Sequence, residues 1–437
     1  MPLRNLTTLF LALLISLTCY SRADRNRYAS RLAKAMNLVT ATYLEEVGYR
    51  QLYEDAMRGM AEGLDPYSGY ISPDDFGYFQ ESLDQKFGGV GILVEIDPDS
   101  QRLMVMSPLL DTPAYRQGLS AGDLILAIDG RDTQGISLTE AVRLMRGKPG
   151  LPVELRLQKV GKDEPVTVTI RRAIIPVESV LGDHRQENGT WVFQLQEDPR
   201  ITYIRLINFG ERTVEELKTT LQQQPVQALL LDLRDNAGGL LTAAVETCDL
   251  FIEEGTIVST RGRGGLTLES YAATAAKLLD REIPIIVLVN GFSASASEIV
   301  AACLQDHGRA RVVGQRTWGK GTVQNVITLE GGQAGLKLTT ASYWRPSGMN
   351  IHRSSDAGEQ EEWGVRPDPA LEVILTDEQA DRMRRQRRLR DSVRRPSTTD
   401  SDDQAPPLQD PQLERAIQTL QEELDGASIA VTDDATT

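Results

Sequence analysis

The 437-residue chain is 41% hydrophobic and 25% charged, long and apolar enough for two or three domains with buried cores, which excludes disorder for most of its length. Its net charge of −15 argues against a nucleic-acid partner, because phosphate binding needs a concentrated basic surface. The one basic cluster, eight arginines from Arg382 to Arg395, lies beside an acidic segment and reads as a solvated helix.

Residues 1–23, MPLRNLTTLFLALLISLTCYSRA, place Arg4 before an apolar run from Leu9 to Leu17 and small residues at Ser21 and Ala23. This reads as an export signal cleaved after Ala23, with an uncleaved membrane anchor as the alternative. The apolar run is short for a membrane span. Leu17-Thr18 before Cys19 is a poor match to a lipid-modification site. Cys248 and Cys303 fall in apolar helical patterns and read as buried free thiols, with a disulfide as the alternative; they support no metal site.

Residues 24–83 carry apolar residues at helical spacing and form an N-terminal helical module, broken by the turn signal Asp65-Pro66-Tyr67-Ser68-Gly69. Residues 84–173 change to short alternating runs, "GVGILVEID", "LMVMSPL", "GDLILAIDG", "VELRLQK" and "PVTVTIRR", around one amphipathic helix, "SLTEAVRLMRG". Over 174–375 the apolar strands "VQALLLDLR" and "IPIIVLVNG" each run into a Gly-rich or Ser-rich turn and then a helix, as in strand-turn-helix units on a mostly parallel sheet. Residues 376–437 are Arg-rich, then Ser/Thr/Asp/Pro-rich, with one amphipathic helix around "QLERAIQTLQEEL", and are expected to be largely flexible.

"GGVGI", with Gly89, Val90, Gly91 and Ile92, precedes a strand, and its Gly-apolar order resembles the carboxylate-binding loop of PDZ domains. Glycines let successive backbone N–H groups form a nest for a charged chain end. The following strand could then accept a peptide as an added strand. "PAYRQGLSAGDLILAIDG" resembles another PDZ segment and strengthens the match.

"NGFSASASE" sets three serines at alternate positions, Ser293, Ser295 and Ser297, where a strand gives way to a helix. Ser295 and Glu298 have the spacing of a capping box, so Ser295 could simply cap the helix. A nucleophile there would also be well placed, since the Ala296 N–H points from the helix start toward an oxyanion. Histidine is scarce: His307 is too far along the same helix to serve Ser295, and neither His184 nor His352 sits in a recognisable Ser-His-Asp setting. Lysine is the other candidate base. Lys320 lies between Gly319 and Gly321, and strand periodicity puts Lys320, Thr322 and Gln324 on one face. Desolvation lowers a lysine pKa, and a neutral amine can accept a serine proton. The turn Asn236-Ala237-Gly238-Gly239 allows close backbone approach to a ligand, although such turns are commonly structural.

Together "GLDPYSGYI", "GGVGI", "GDLILAIDG", "LDLRDNAGG", "NGFSASASEIVAACLQD", "RARVVGQRTWGKGTVQ", "LTTASYWRPSG" and "WGVRPD" resemble the carboxy-terminal processing peptidases, also called tail-specific proteases. The resemblance implies a multidomain α+β chain with a helical module, a PDZ domain and an α/β peptidase core of the ClpP/crotonase type. It implies Ser295 as nucleophile, Lys320 as general base, Gln324 as the residue orienting the lysine, and the N–H groups of Gly239 and Ala296 as the oxyanion hole. It implies protein or peptide substrates with accessible C-terminal tails and no metal or organic cofactor, while the N-terminal signal points to an exported, periplasmic or extracytoplasmic location. A homo-oligomer and membrane association through an uncleaved N-terminus stay open. Two departures, Ala237 for a glycine and Trp318 for a phenylalanine, remove none of these atoms. An inactive PDZ-bearing binding protein would leave Ser295, Lys320 and Gln324 together unexplained, and a crotonase-like acyl-transfer enzyme would leave the PDZ domain idle.

Overall fold

The computed structural model describes residues 10–18, 27–186, 189–275, 277–354, 356–358, 360–391 and 409–434, with side chains to 426. The expected cleavage point after Ala23, Cys19 and the Ser/Thr-rich stretch 392–408 lie outside the described residues. No helix among the described residues is long and apolar enough to cross a membrane.

Two compact units make up the chain: Met1–Phe76 with Gln324–Thr339, and Gly77–Val323 with Thr340–Thr437. In the first, helix Arg27–Thr42 buries none of its residues, and helix Tyr49–Glu62 follows it. Strand Gly69–Ile71 pairs antiparallel with Gly335–Lys337. Tyr70 Oη donates to Glu330 Oε1 at 2.8 Å, and Tyr53 meets Tyr70 edge-on. The turn signal at Asp65 is realised as an Asx turn, with Asp65 Oδ1 accepting from the Tyr67 and Ser68 N–H groups at 2.8 Å.

In the second unit, the PDZ domain is an antiparallel sheet whose strands run Ile92–Ile96, Leu103–Pro108, Leu124–Ile128, Pro152–Gln158 and Val166–Arg171 in spatial order. Its alternating runs bury every second residue, as Val153, Leu155 and Leu157 show against exposed Glu154 and Arg156. Helix Leu138–Met145 closes the domain, its first turn capped by Ser137 Oγ accepting from the Glu140 N–H at 3.2 Å. Strand Ile92–Ile96 is an edge of the sheet.

The α/β core is built on a second sheet in the order Val180–Leu181, Ile201–Leu206, Ala228–Asp232, Ile285–Val289, Arg311–Gly314. The last four are parallel. Ala228–Asp232 and Ile285–Val289 are buried at every position, the pattern of strands covered on both faces. Leu229, Leu231, Val287 and Val289 face a cluster formed with helices Thr213–Gln223, Leu241–Asp249 and Ala296–Asp306. Leu230, Ile286, Leu288 and Val313 face the opposite way, onto Met383, Leu413, Ala416, Ile417 and Leu420.

That second cluster corrects the expectation of a largely flexible C-terminus. Residues Asp377–Asp391 and Pro411–Asp434 are helical, and they supply the apolar cover that the second sheet face requires. The arginine-rich helix is not simply solvated either. Arg387 is buried against Asp183, which also accepts from Arg390 at 2.5 Å, while Arg205 pairs with Asp391 at 2.6 Å. Arg234, fully enclosed, is bonded to Asp232 at 2.7 Å and Asp410 at 2.9 Å, so buried cations on the sheet side are matched by carboxylates. Cys248 and Cys303 are both buried and free.

Candidate active site

Two strand-to-helix turns meet at the C-terminal ends of adjacent parallel strands, where ligands bind in open α/β sheets. One follows Ala228–Asp232 and holds Asn236 to Gly239; the other follows Ile285–Val289 and holds the three serines. The side chains of Asn290 and Asp235 join them, with the Asp235 N–H donating to Asn290 Oδ1 at 3.0 Å. The Ala294 N–H donates to the Asn236 carbonyl at 3.0 Å.

The outer serines are committed to this junction. Ser293 Oγ donates to the Leu233 carbonyl at 2.8 Å, and Ser297 Oγ donates to the Asn236 carbonyl at 2.8 Å. Both are fully buried. Ser295 differs: at φ 56°, ψ −113° it sits in a backbone region that a non-glycine residue rarely adopts, immediately before helix Ala296–Asp306. Strain of this kind lifts a side chain off a turn toward a substrate, as in the nucleophile elbows of α/β-hydrolases. The capping box is present too, so the two readings of Ser295 are compatible. Gly238, at φ 99°, explains why the glycine turn lies so close. A Cβ there would stand 2.6 Å from the Ala294 carbonyl oxygen and 2.8 Å from both the Ala296 nitrogen and Ser295 Cβ.

The lysine loop comes from a third direction, after strand Arg311–Gly314. The Trp318 N–H donates to the Ser293 carbonyl at 3.0 Å, tying the loop to the serine turn. Beyond it, the Tyr343 N–H holds the Gly321 carbonyl at 2.7 Å and the Arg353 N–H holds that of Gly319 at 2.9 Å. The backbone N–H groups of Ser295 and Lys320 both donate to Glu298 Oε2, at 2.9 and 2.8 Å. Sharing one oxygen keeps these two nitrogens within about 6 Å of each other.

Burial pushes the Glu298 carboxyl up, against the four hydrogen bonds it accepts from Thr317, Gly319, Ser295 and Lys320. Burial likewise pushes the Tyr343 phenol up to about 12. His184 is occupied by Asp183 and His307 by the Thr256 carbonyl. The sequence reading missed Tyr343 and Thr317, and saw Glu298 only as a cap. "LTTASYWRPSG" was a signal for Tyr343, but nothing local links it to the lysine loop, whose Gly321 carbonyl its N–H holds.

Gln324 belongs to the other compact unit, where its Nε2 donates to Thr339 Oγ1 at 3.3 Å and Thr339 in turn donates to Asp65 Oδ1 at 3.1 Å. Its lysine-orienting role rests on the family resemblance. In the PDZ loop, Gly91 has φ 80°, and its carbonyl accepts from the Leu109 N–H at 2.9 Å and Thr112 Oγ1 at 3.0 Å. The Val90 carbonyl accepts from the Ala114 N–H at 2.9 Å. These bonds hold the loop by its carbonyls at the start of the edge strand containing Ile92.

The family models agree with this architecture. The description "Peptidase family S41" matches residues 200–370, "PDZ domain" matches 80–158, and "Activating protease CtpB N-terminal domain" matches 18–74. The chain is 37% identical over 369 residues to the carboxy-terminal-processing protease of Bartonella bacilliformis, covering 83% of this chain and 79% of that protein. It is 37% identical over 327 residues to the carboxyl-terminal-processing protease of Synechocystis, covering 73% and 71%. Among solved structures, the photosystem II D1 C-terminal processing protease aligns at 27% identity and a TM-score of 0.44, over 78% of this chain and 92% of that one. The fold and site thus define a PDZ-bearing serine-type endopeptidase acting on peptide or protein substrates. The chain belongs to the carboxy-terminal processing proteases of peptidase family S41.

Proposed function

We propose that the chain is an exported endopeptidase that captures protein C-terminal tails in its PDZ domain and cleaves peptide bonds with a Ser295-Lys320 dyad. The observation that carries the dyad is the pairing of a strained serine at the start of a buried helix with a glycine-flanked lysine whose backbone is bonded to the same carboxylate oxygen. Lys320, uncharged, takes the Ser295 proton as Oγ attacks the scissile carbonyl. The N–H groups of Gly239 and Ala296 stabilise the resulting oxyanion, which the close approach of the glycine turn to Ala296 favours. The lysine ammonium then protonates the leaving amine. Water, deprotonated by Lys320, releases the acyl group from Ser295 and restores the enzyme. No metal or organic cofactor enters these steps.

The N–H groups around Gly89 to Ile92 receive the substrate's terminal carboxylate, and the edge strand Ile92–Ile96 pairs with its tail. Residues 1–23 direct the chain out of the cytoplasm, to the periplasm or an equivalent extracytoplasmic space. Trapping the acyl-enzyme and locating the modified residue by mass spectrometry tests the mechanism: modification at Ser295, lost in Ser295→Ala, is expected, and modification elsewhere refutes it. N-terminal sequencing of the fractionated protein tests export, with a mature chain beginning at Asp24 expected.

A further inference from the structure

Glu298 receives more than a capping residue needs. A capping box requires its carboxylate to accept one bond, from the Ser295 N–H. Here the side chain is fully buried and accepts four. Oε2 takes the Ser295 and Lys320 N–H groups at 2.9 and 2.8 Å. Oε1 takes Thr317 Oγ1 at 2.6 Å and the Gly319 N–H at 2.7 Å. Thr317 is itself fixed, since its Oγ1 accepts from the Val365 N–H at 2.8 Å and so turns its single proton toward Glu298. Gly364, at φ 58°, closes the same spot: a Cβ would stand 2.8 Å from Thr317 Oγ1 and 3.3 Å from Glu298 Oε1.

Enclosing a carboxylate is costly unless its lone pairs are filled, and a surface glutamate would supply a helix cap without that cost. What the buried position adds is reach. It joins residue 295 to residues 317, 319 and 320, the two loops whose separation decides whether an amine can meet the serine hydroxyl.

We propose that Glu298, with Thr317 as its accessory, is the positioning residue that sets the distance between Ser295 and Lys320. This rests on the reading of those two residues as the dyad. Both Glu298 oxygens already accept two donors, so a glutamine in the same volume puts an NH2 group against N–H or hydroxyl donors at one end, whichever way it is turned. The loops then part, and a misplacement of about 1 Å at a reacting pair costs on the order of a hundredfold in rate.

The test uses the full-length protein, with active sites titrated by a fluorophosphonate so that kcat is expressed per reactive serine. Glu298→Gln is expected to lower that kcat about a hundredfold with KM within about threefold of wild type, because tail binding lies in the PDZ domain. Thr317→Val is expected to lower it about tenfold, and Thr317→Ser to recover most of the loss by restoring the hydroxyl. A merely structural role would instead reduce the number of titratable sites and leave kcat per site unchanged; that result overturns the proposal. Should Glu298→Gln not fold, Thr317→Val decides alone, and kcat per site within threefold of wild type refutes it. Full activity in Ser295→Ala would bring down the dyad reading and this inference together, whereas an inactive Ser295→Ala beside unaltered Glu298→Gln and Thr317→Val brings down this inference only.

Discussion

The serine turn and the PDZ loop are both glycine- or serine-rich, and both precede a regular element, yet the chain treats them in opposite ways. Around Ser295 the neighbouring hydroxyls are spent on backbone carbonyls, the nearby carboxylate is filled, and the backbone is held at an unfavourable φ. At Gly89 to Ile92 the carbonyls are anchored by Leu109, Thr112 and Ala114, while the following strand is left at a sheet edge. Overdetermination suits a site that must place two reacting groups; an unfilled edge suits one that must accept many chain ends.

The largest effects should come from the overdetermined turn. Ser295→Ala and Lys320→Ala each remove a group that forms or breaks a bond in the proposed cycle, so peptidase activity should fall by at least about a thousandfold while the far-ultraviolet spectrum stays native. Ser293→Ala and Ser297→Ala should keep substantial activity, but each removes one of two hydrogen bonds to a buried carbonyl and should cost about 0.5–1.5 kcal/mol in denaturant unfolding. If either outer serine abolishes chemistry at full stability, the assignment of the middle one is wrong.

A smaller effect belongs to the edge strand. A terminal carboxylate held by backbone N–H groups makes charge-assisted bonds that an amide cannot, worth about 1.5–3 kcal/mol, or roughly ten- to a hundredfold in binding. A protein with a flexible apolar tail should be cut that much faster, below saturation, than the same protein C-terminally amidated. Equal rates would mean the PDZ domain packs against the core without selecting substrate.

Legibility followed the same division. Ser295, Lys320, the glycine turn and the PDZ loop lie in short stretches whose residue types suggest the chemistry proposed for them, and the parallel core was visible in runs such as "ALLLD". What stayed hidden depends on partners far apart in sequence. Glu298 meets Thr317 across 19 positions and Arg234 meets Asp410 across 176, and no local pattern records either. The packing of the C-terminal helices onto the sheet was the clearest miss, although both helices were read. A strand buried on both faces demands two covers, so the continuous apolar runs already implied a second layer; the arginine-rich composition made the helix that helps supply it read as solvated, because its Arg387 and Arg390 pair with Asp183, some 200 residues upstream.

That second layer can be tested by volume. Leu420 is fully buried beneath the sheet that ends in both active-site turns, so Leu420→Ala should cost about 2–5 kcal/mol. A change within 0.5 kcal/mol, of the size usual for surface substitutions, would mean that the C-terminal helix does not cover the sheet in solution.

The smallest effect concerns pH and the ion cluster behind the glycine turn. Burial alone would raise the Asp232 carboxyl, but Arg234 and the Tyr203 hydroxyl outweigh it and hold the pKa at about 2, below the ordinary 3.8. A pKa lowered on folding contributes stability that is complete above the unfolded value and is lost as pH falls through the folded one. This contribution should therefore be intact above about pH 4 and disappear between about pH 4 and 2. Other carboxylates, Asp198 and Asp306 among them, are also held below the ordinary value, so the wild-type curve alone cannot isolate it. The difference between wild type and Asp232→Asn can. Asparagine keeps the shape but not the charge, leaving Arg234 with Asp410 as its remaining carboxylate, so the variant should melt lower at pH 7 and the gap should narrow as acid protonates the wild-type group. Melting curves that stay parallel down to pH 2.5 would show that the charge on Asp232 adds nothing to the support of the turn, and that the rigidity of the site comes from its hydrogen bonds alone.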